Sequence, residues 1–188
     1  MSNSVYKNGE IQSIIKLAQK GDSKALETLI KRIQKDIYSI FYHLTYKKED
    51  VSDLTQEVLL KMAKNLCSLR NTEKFKPWLN KIIANTFSDY TRKNRNTFAE
   101  TDEQKLNEIK DRLGCEPGER CLFTEIEQLI KSALLTLPQT LRLSLILREY
   151  EGLSYDDISK ITNTTLGTVK SRIARARIRL QKELKEFI

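Results

Sequence analysis

Apolar residues recur at three- and four-residue intervals along nearly the whole chain and nowhere settle into the two-residue alternation of a strand, so the pattern predicts an all-α fold. Glu10 to Lys20 predicts a short helix stopped by Gly21-Asp22. A second, capped by Asp22 or Ser23, carries Leu26, Leu29, Ile30, Ile33, Ile37, Ile40 and Phe41 inward, with Tyr38, Tyr42 and Tyr46 on its margins. A third, from Val51 to Leu66, has Leu54, Val58, Leu59 and Met62 at helical spacing. The polar stretch CSLRNTEK follows as a loop. A fourth helix then opens at Phe75, where Pro77 is tolerable because it falls in the first turn; Trp78, Leu79, Ile82, Ile83 and Phe87 form its apolar side.

The pattern lapses between Phe98 and Gly118. Six carboxylates (Glu100, Asp102, Glu103, Glu108, Asp111, Glu116) and the breakers Gly114, Pro117 and Gly118 read as a flexible acidic linker, with one weak helix from Glu103 to Leu113. The expected division is a helical domain over 1–97, a linker over 98–120 and a second helical domain over 121–188. In the second, Phe123 to Leu135 places Ile126, Leu129, Ile130 and Ala133 on one side. Pro138 starts the next helix, whose stripe is Leu141, Leu145, Ile146 and Tyr150, and Gly152 stops it. Ser154 caps a short helix with Asp157 in the capping-box position and Ile158 and Ile161 facing inward. Thr162-Asn163-Thr164 makes a turn, and a last helix starts at Thr165 with Leu166, Val169, Ile173, Ala176, Leu180 and Leu184 as its buried stripe.

Two short helices across a tight turn leave a distinctive surface. Opposite Ile173 stand Thr168, Ser171, Arg175 and Lys182, flanked by Arg172 and Arg179, and no carboxylate occurs between Asn163 and Lys182. Hydroxyls and arginines at an exposed helix start suit a DNA major groove; a solvated basic face on a helical hairpin is the plainer alternative. The fourth helix is a second basic region, with Lys81, Arg92 and Lys93 beside aromatic residues, as single-stranded nucleic acid requires, although Phe75 and Trp78 also suit a core. On the third helix Asp53, Gln56, Glu57 and Lys61 form a polar ridge, fit for a partner protein or for solvent.

Composition narrows the classes. The 188 residues carry a formal net charge of +8 and a pI of about 9.3, which favours a polyanionic partner. An odd cysteine count (Cys67, Cys115, Cys121) without paired CxxC spacing argues against a disulfide framework or a structural zinc site. The single histidine, His43, has no catalytic companions, and neither a phosphate loop nor a nucleophile elbow is present, so neither enzyme activity nor a cofactor is expected. No apolar run is long enough to span a bilayer, and MSNSVYKNGE is not a signal peptide; a cytoplasmic protein without membrane insertion is expected.

LPQTLRLSLILREYEGLSYDDISKITNTTLGTVKSRIARARIRL resembles region 4 of the extracytoplasmic-function (ECF) group of bacterial sigma factors, in the sigma-70 family. DVSDLTQEVLLKMAKNL and FKPWLNKIIANTFSDYTRKNR resemble that group's region 2, in the right order and spacing. The resemblance implies a factor that binds core RNA polymerase and directs it to promoter DNA. It implies docking on the clamp of the largest polymerase subunit through Asp53, Leu54, Gln56, Glu57 and Val58. Minus-10 recognition and melting would fall to Arg70, Trp78, Asn80, Lys81, Asn85, Asp89, Arg92 and Lys93. Minus-35 recognition would fall to Thr165, Thr168, Lys170, Ser171, Arg172, Arg175 and Arg179. An anti-sigma factor is a further implied partner. The chain departs from the family at Asn80, Thr86 and Phe87, where an arginine or second aromatic is common, and at Ala174, often a larger residue. Gly167, in the first turn of the last helix, costs up to about 1 kcal/mol of helix propensity, which close approach of the backbone to DNA or to the preceding helix would explain.

Overall fold

Gly21, with φ at +93°, turns the chain after the first helix, and Asp22 then accepts hydrogen bonds from the Lys24 and Ala25 amides at 2.9 and 3.0 Å to start the second. In the computed structural model, which describes residues 9–94 and 121–185, these helices are α1 (Gly9–Gln19) and α2 (Ser23–Leu44). After them come α3 (Lys48–Asn65), two 3₁₀ turns (Leu66–Ser68 and Thr72–Lys74) and α4 (Phe75–Lys93). Each helix packs on the next, closing a core around Ile15, Leu29, Ile33, Phe41, Val58, Met62, Leu79 and Ile83. The stretch expected to be a loop is built from the 3₁₀ turns. Gln19 Nε2 secures it by donating to the Leu66 and Leu69 carbonyls at 2.9 and 2.8 Å.

The second helical region comprises α5 (Cys121–Leu135), α6 (Gln139–Glu149), α7 (Tyr155–Thr162) and α8 (Leu166–Lys185), and no strand occurs among the described residues. The acidic linker, its weak helix and Cys115 lie outside the described residues. Ser154 Oγ accepts the Asp157 amide at 3.0 Å and lies 2.6 Å from the Asp157 carboxylate, so the expected cap is formed. Val169, Ile173 and Ala176 are buried as the periodicity requires. Leu166 is not: it opens α8, where no preceding turn flanks it, and is 43% exposed. Ile126 is likewise 55% exposed, because the buried part of α5 lies at its other end, at Ala133, Leu134 and Leu135.

The sequence pattern gives α6 a single inward stripe. The structure buries every residue from Leu141 to Leu147, Arg142 and Ser144 included, because α6 meets α2 and α4 on one side and α7 and α8 on the other. Arg142 makes this possible. Its Nη1 donates to the Leu44 carbonyl at 2.8 Å, and its Nη2 to the Leu135 and Leu137 carbonyls at 2.7 and 2.8 Å. One guanidinium thus closes the C-terminal ends of α2 and α5, whose last carbonyls have no partner within their own helices. Tyr46 adds a hydrogen bond from its hydroxyl to the same Leu135 carbonyl at 2.8 Å.

His43 is buried against this junction, with the Tyr42 and Tyr150 rings at 5.3 and 4.6 Å. Burial first, and the positive charge of Lys131 second, lower its pKa from 6.5 to about 4. The unfolded chain therefore takes up a proton in acid that the folded chain refuses, so stability is complete above about pH 6.5 and declines as the pH falls toward 4. Equilibrium denaturation at pH 7 and pH 5 should show a loss of order 1–2 kcal/mol that His43→Gln removes. At the same junction, Arg142→Lys should cost roughly 3 kcal/mol by the same measurement, since an ammonium cannot span three carbonyls.

Candidate nucleic-acid interface

The turn between α7 and α8 depends on Asn163, which takes the left-handed conformation (φ 50°, ψ 49°) that an Asx side chain tolerates better than most. Its amide closes the end of α7 on the Ser159 carbonyl. Thr165 then accepts the Thr168 amide at 3.2 Å and caps α8. With Val169 and Ile173 held in the core, Thr165, Lys170, Arg175 and Arg179 are exposed, and Thr168, Ser171 and Arg172 are half-buried. Arg177, on another side of α8, is engaged with Glu149 at 2.5 Å. Thr168, Ser171, Arg172, Arg175 and Arg179 therefore share one side of α8, while Lys170, seven residues before Arg177, leaves the helix on Arg177's side. A Cβ added to Gly167 meets only Thr165 Oγ1, at 3.9 Å, so packing against the preceding helix does not account for that glycine.

On α4, Trp78, Lys81, Asn85, Asp89 and Arg92 fall at intervals of three or four residues and so share one face, with Lys93 exposed beside them and Arg70 exposed in the loop before the helix. Asp89 pairs with Arg92 at 2.9 Å, leaving Lys81 and Lys93 to set the sign of that face. Trp78 is half-buried, its ring 5.9 Å from that of Phe75, which is fully in the core. Asn80 stands apart from the others: it is 1% exposed and turned toward the second helical region, where it donates to Glu151 at 3.1 Å.

Of the five residues expected to dock a partner, Asp53, Gln56 and Glu57 are exposed on α3, while Leu54 and Val58 are core residues that hold the ridge in place. Sequence reasoning missed Leu60, 62% exposed and one turn beyond Gln56 and Glu57. An apolar residue outside the inward stripe of a helix is the signal that would have found it. Glu57 pairs with Lys61 at 2.7 Å, and Lys61 donates to Thr86 of α4 at 3.0 Å, so the ridge and the basic helix are braced together. Also missed were Lys76 and Glu151, which meet across the two helical regions at 3.4 Å. Among the described residues no group of His, Cys, Asp and Glu is placed to hold a metal ion, and no helix is long and apolar enough to cross a membrane.

Comparison with known proteins matches two separate regions of the chain. Residues 29–97 match Sigma-70 region 2 and residues 127–180 match Sigma-70, region 4. The chain is 31% identical to the ECF RNA polymerase sigma-E factor of Escherichia coli, over 94% of its own length and 95% of that protein's. It is 30% identical to the RNA polymerase sigma-H factor of Pseudomonas aeruginosa, over 94% and 95% of the two chains. Its fold is similar to that of CnrH in complex with the cytosolic domain of CnrY (TM-score 0.65, 19% identity, 93% of this chain and 97% of that one). It is also similar to the sigma factor RpoE in complex with the anti-sigma factor NepR from Bartonella quintana (TM-score 0.59, 27% identity, 86% and 98%). Two basic helical surfaces, a polar ridge and full-length relatedness lead to one conclusion: the chain belongs to the extracytoplasmic-function group of the sigma-70 family, the factors that direct promoter-specific transcription initiation.

Proposed function

We propose that this sigma factor divides its work among three surfaces. The α3 ridge of Asp53, Gln56 and Glu57, held by Leu54 and Val58 and extended by Leu60, docks on the clamp of the largest subunit of core RNA polymerase. Arg70 and the α4 residues Trp78, Asn80, Lys81, Asn85, Asp89, Arg92 and Lys93 read and open the minus-10 element, where a cationic face beside an aromatic ring suits an unstacked base. Thr165, Thr168, Lys170, Ser171, Arg172, Arg175 and Arg179 read the minus-35 duplex through base edges and phosphates. Residues 1–97 form the first working domain, 98–120 the tether and 121–188 the second domain; tethering raises the effective concentration of each on one promoter.

The observation that carries this reading is the carboxylate-free stretch of α8 from Leu166 to Lys182, with Arg175 and Arg179 exposed on it, in a chain whose α4 presents a second basic face. Any chemistry belongs to the polymerase, and the factor acts in the cytoplasm without a catalytic site or cofactor of its own. An anti-sigma factor is the further partner, a reading supported by related folds solved in such complexes.

Transcription in vitro with purified core enzyme and a promoter library tests the proposal: the chain should bind core and select defined start sites. Arg175→Ala should cost roughly 1–3 kcal/mol in binding of cognate promoters by that holoenzyme, and less if the side chain touches only phosphate. A chain that neither binds core nor selects any start site is not working as proposed. Gly167→Ala should raise folding stability by up to about 1 kcal/mol, read by denaturation, because the site has room for a methyl group. If the α8 backbone lies against DNA there, the same variant should bind the minus-35 duplex more weakly despite its added stability.

A further inference from the structure

The two proposed DNA-reading regions are clasped by buried charge. Glu151, in the turn after α6, is 3% exposed. Its carboxylate accepts a hydrogen bond from Asn80 Nδ2 at 3.1 Å and pairs with Lys76 Nζ at 3.4 Å. Lys76 and Asn80 stand one turn apart near the start of α4, so the clasp draws the second helical region onto the minus-10 helix itself. A carboxylate and an ammonium taken out of water each lose several kcal/mol of hydration, which only close pairing offsets. Asn80 is half served in this arrangement: its Oδ1 is buried without a hydrogen-bond partner in the chain. Alongside, a crevice is lined by Arg70, Trp78 and Lys81 on one wall and by Asp157, Lys160 and Ile161 of α7 on the other. The residues that would meet an unstacked strand therefore face the first helix of the helix-turn-helix.

An ammonium and an amide presented side by side, an unused amide oxygen between them, make a receptor for an anion bordered by a base edge. Glu151 supplies the anion from within. We propose that Lys76 and Asn80 form a nucleic-acid contact that the Glu151 carboxylate occupies in the free chain, so that closure of the two helical regions and minus-10 binding compete for the same donors. This rests on the reading of α4 as the minus-10 helix and adds Lys76 to its contacts. Promoter engagement then requires the clasp to release, and a DNA strand or a partner that separates the regions drives it. Arg142 keeps its Leu135 and Leu137 carbonyls after release, so the second region retains that internal closure.

Glu151→Gln in the full-length chain tests this, since it preserves shape and an acceptor for Asn80 while removing the charge that holds Lys76. Anisotropy of a short fluorescent single strand carrying the minus-10 sequence of a mapped start site should show the free variant binding roughly tenfold tighter than wild type, because apparent affinity scales with the open fraction. Adding Lys76→Gln should abolish that gain. In wild type, Lys76 should acetylate far more slowly than the exposed Lys74, and Glu151→Gln should erase the difference. Unchanged strand affinity in a folded Glu151→Gln chain, or equal acetylation of the two lysines in wild type, overturns the proposal. Should the variant fail to fold, energy transfer between dyes at Lys31 and Gln181 of the otherwise native sequence decides: saturating strand should lower it, and no change overturns the clasp. Wild-type holoenzyme that selects no start site would sink the sigma-factor reading instead, whereas the lysine comparison needs no polymerase.

Discussion

A buried guanidinium sits where three helix ends converge, and the arrangement of the chain depends on it. Helices leave their last carbonyls unsatisfied, and packing the C-terminal ends of α2 and α5 against α6 would strand those acceptors away from water. Arg142 answers the Leu44, Leu135 and Leu137 carbonyls with two terminal nitrogens, as its planar fork permits and a lysine's point charge does not. With those acceptors served, α6 can bury Leu141, Leu143, Leu145, Ile146 and Leu147 among its neighbouring helices. The helix-turn-helix then has a rigid platform, and Val169, Ile173 and Ala176 set which side of α8 meets solvent.

Charge is divided by location. Arg175 stays exposed on α8 with no carboxylate within one turn of it along the helix, while Arg177 is paired with Glu149. On α4, Lys81 and Lys93 are exposed while Lys76 is drawn into the contact between the helical regions. Exposed cations near a nucleic acid gain from releasing its counterions, whereas a cation buried beside a carboxylate is committed to its partner. The same residue type is thus left exposed at one position and drawn into closure at another.

That contrast bears on how the factor works. The proposed minus-10 surface would have to be accessible when the duplex opens, yet the free chain sets Trp78 across a crevice from Ile161 and spends Asn80 on Glu151. The Lys61 bridge between Glu57 and Thr86 ties the α3 ridge to the same helix. The α3 ridge and the contact between the two helical regions thus both meet α4.

Local pattern was enough for much of this. The helix periods, the Asp22 and Ser154 caps, the Asn163 turn and the exposed face of α8 are all legible in residue order, because each depends on neighbours within one or two turns. The two motif blocks carried the family as well. What order could not reveal is which polar residues are withdrawn from solvent. Arg142, Asn80 and Glu151 look like ordinary surface positions until helices distant in the chain close over them: Asn80 and Glu151 are separated by 71 residues, and Arg142 and the Leu44 carbonyl by 98. The LRLSLIL run held a trace of α6's burial in its near-continuous apolar character, but a single arginine within it masked the signal. Helical spacing fixes the direction in which a side chain leaves its own axis; whether that direction leads to water or to another helix is settled by packing, and only the assembled fold contains that information.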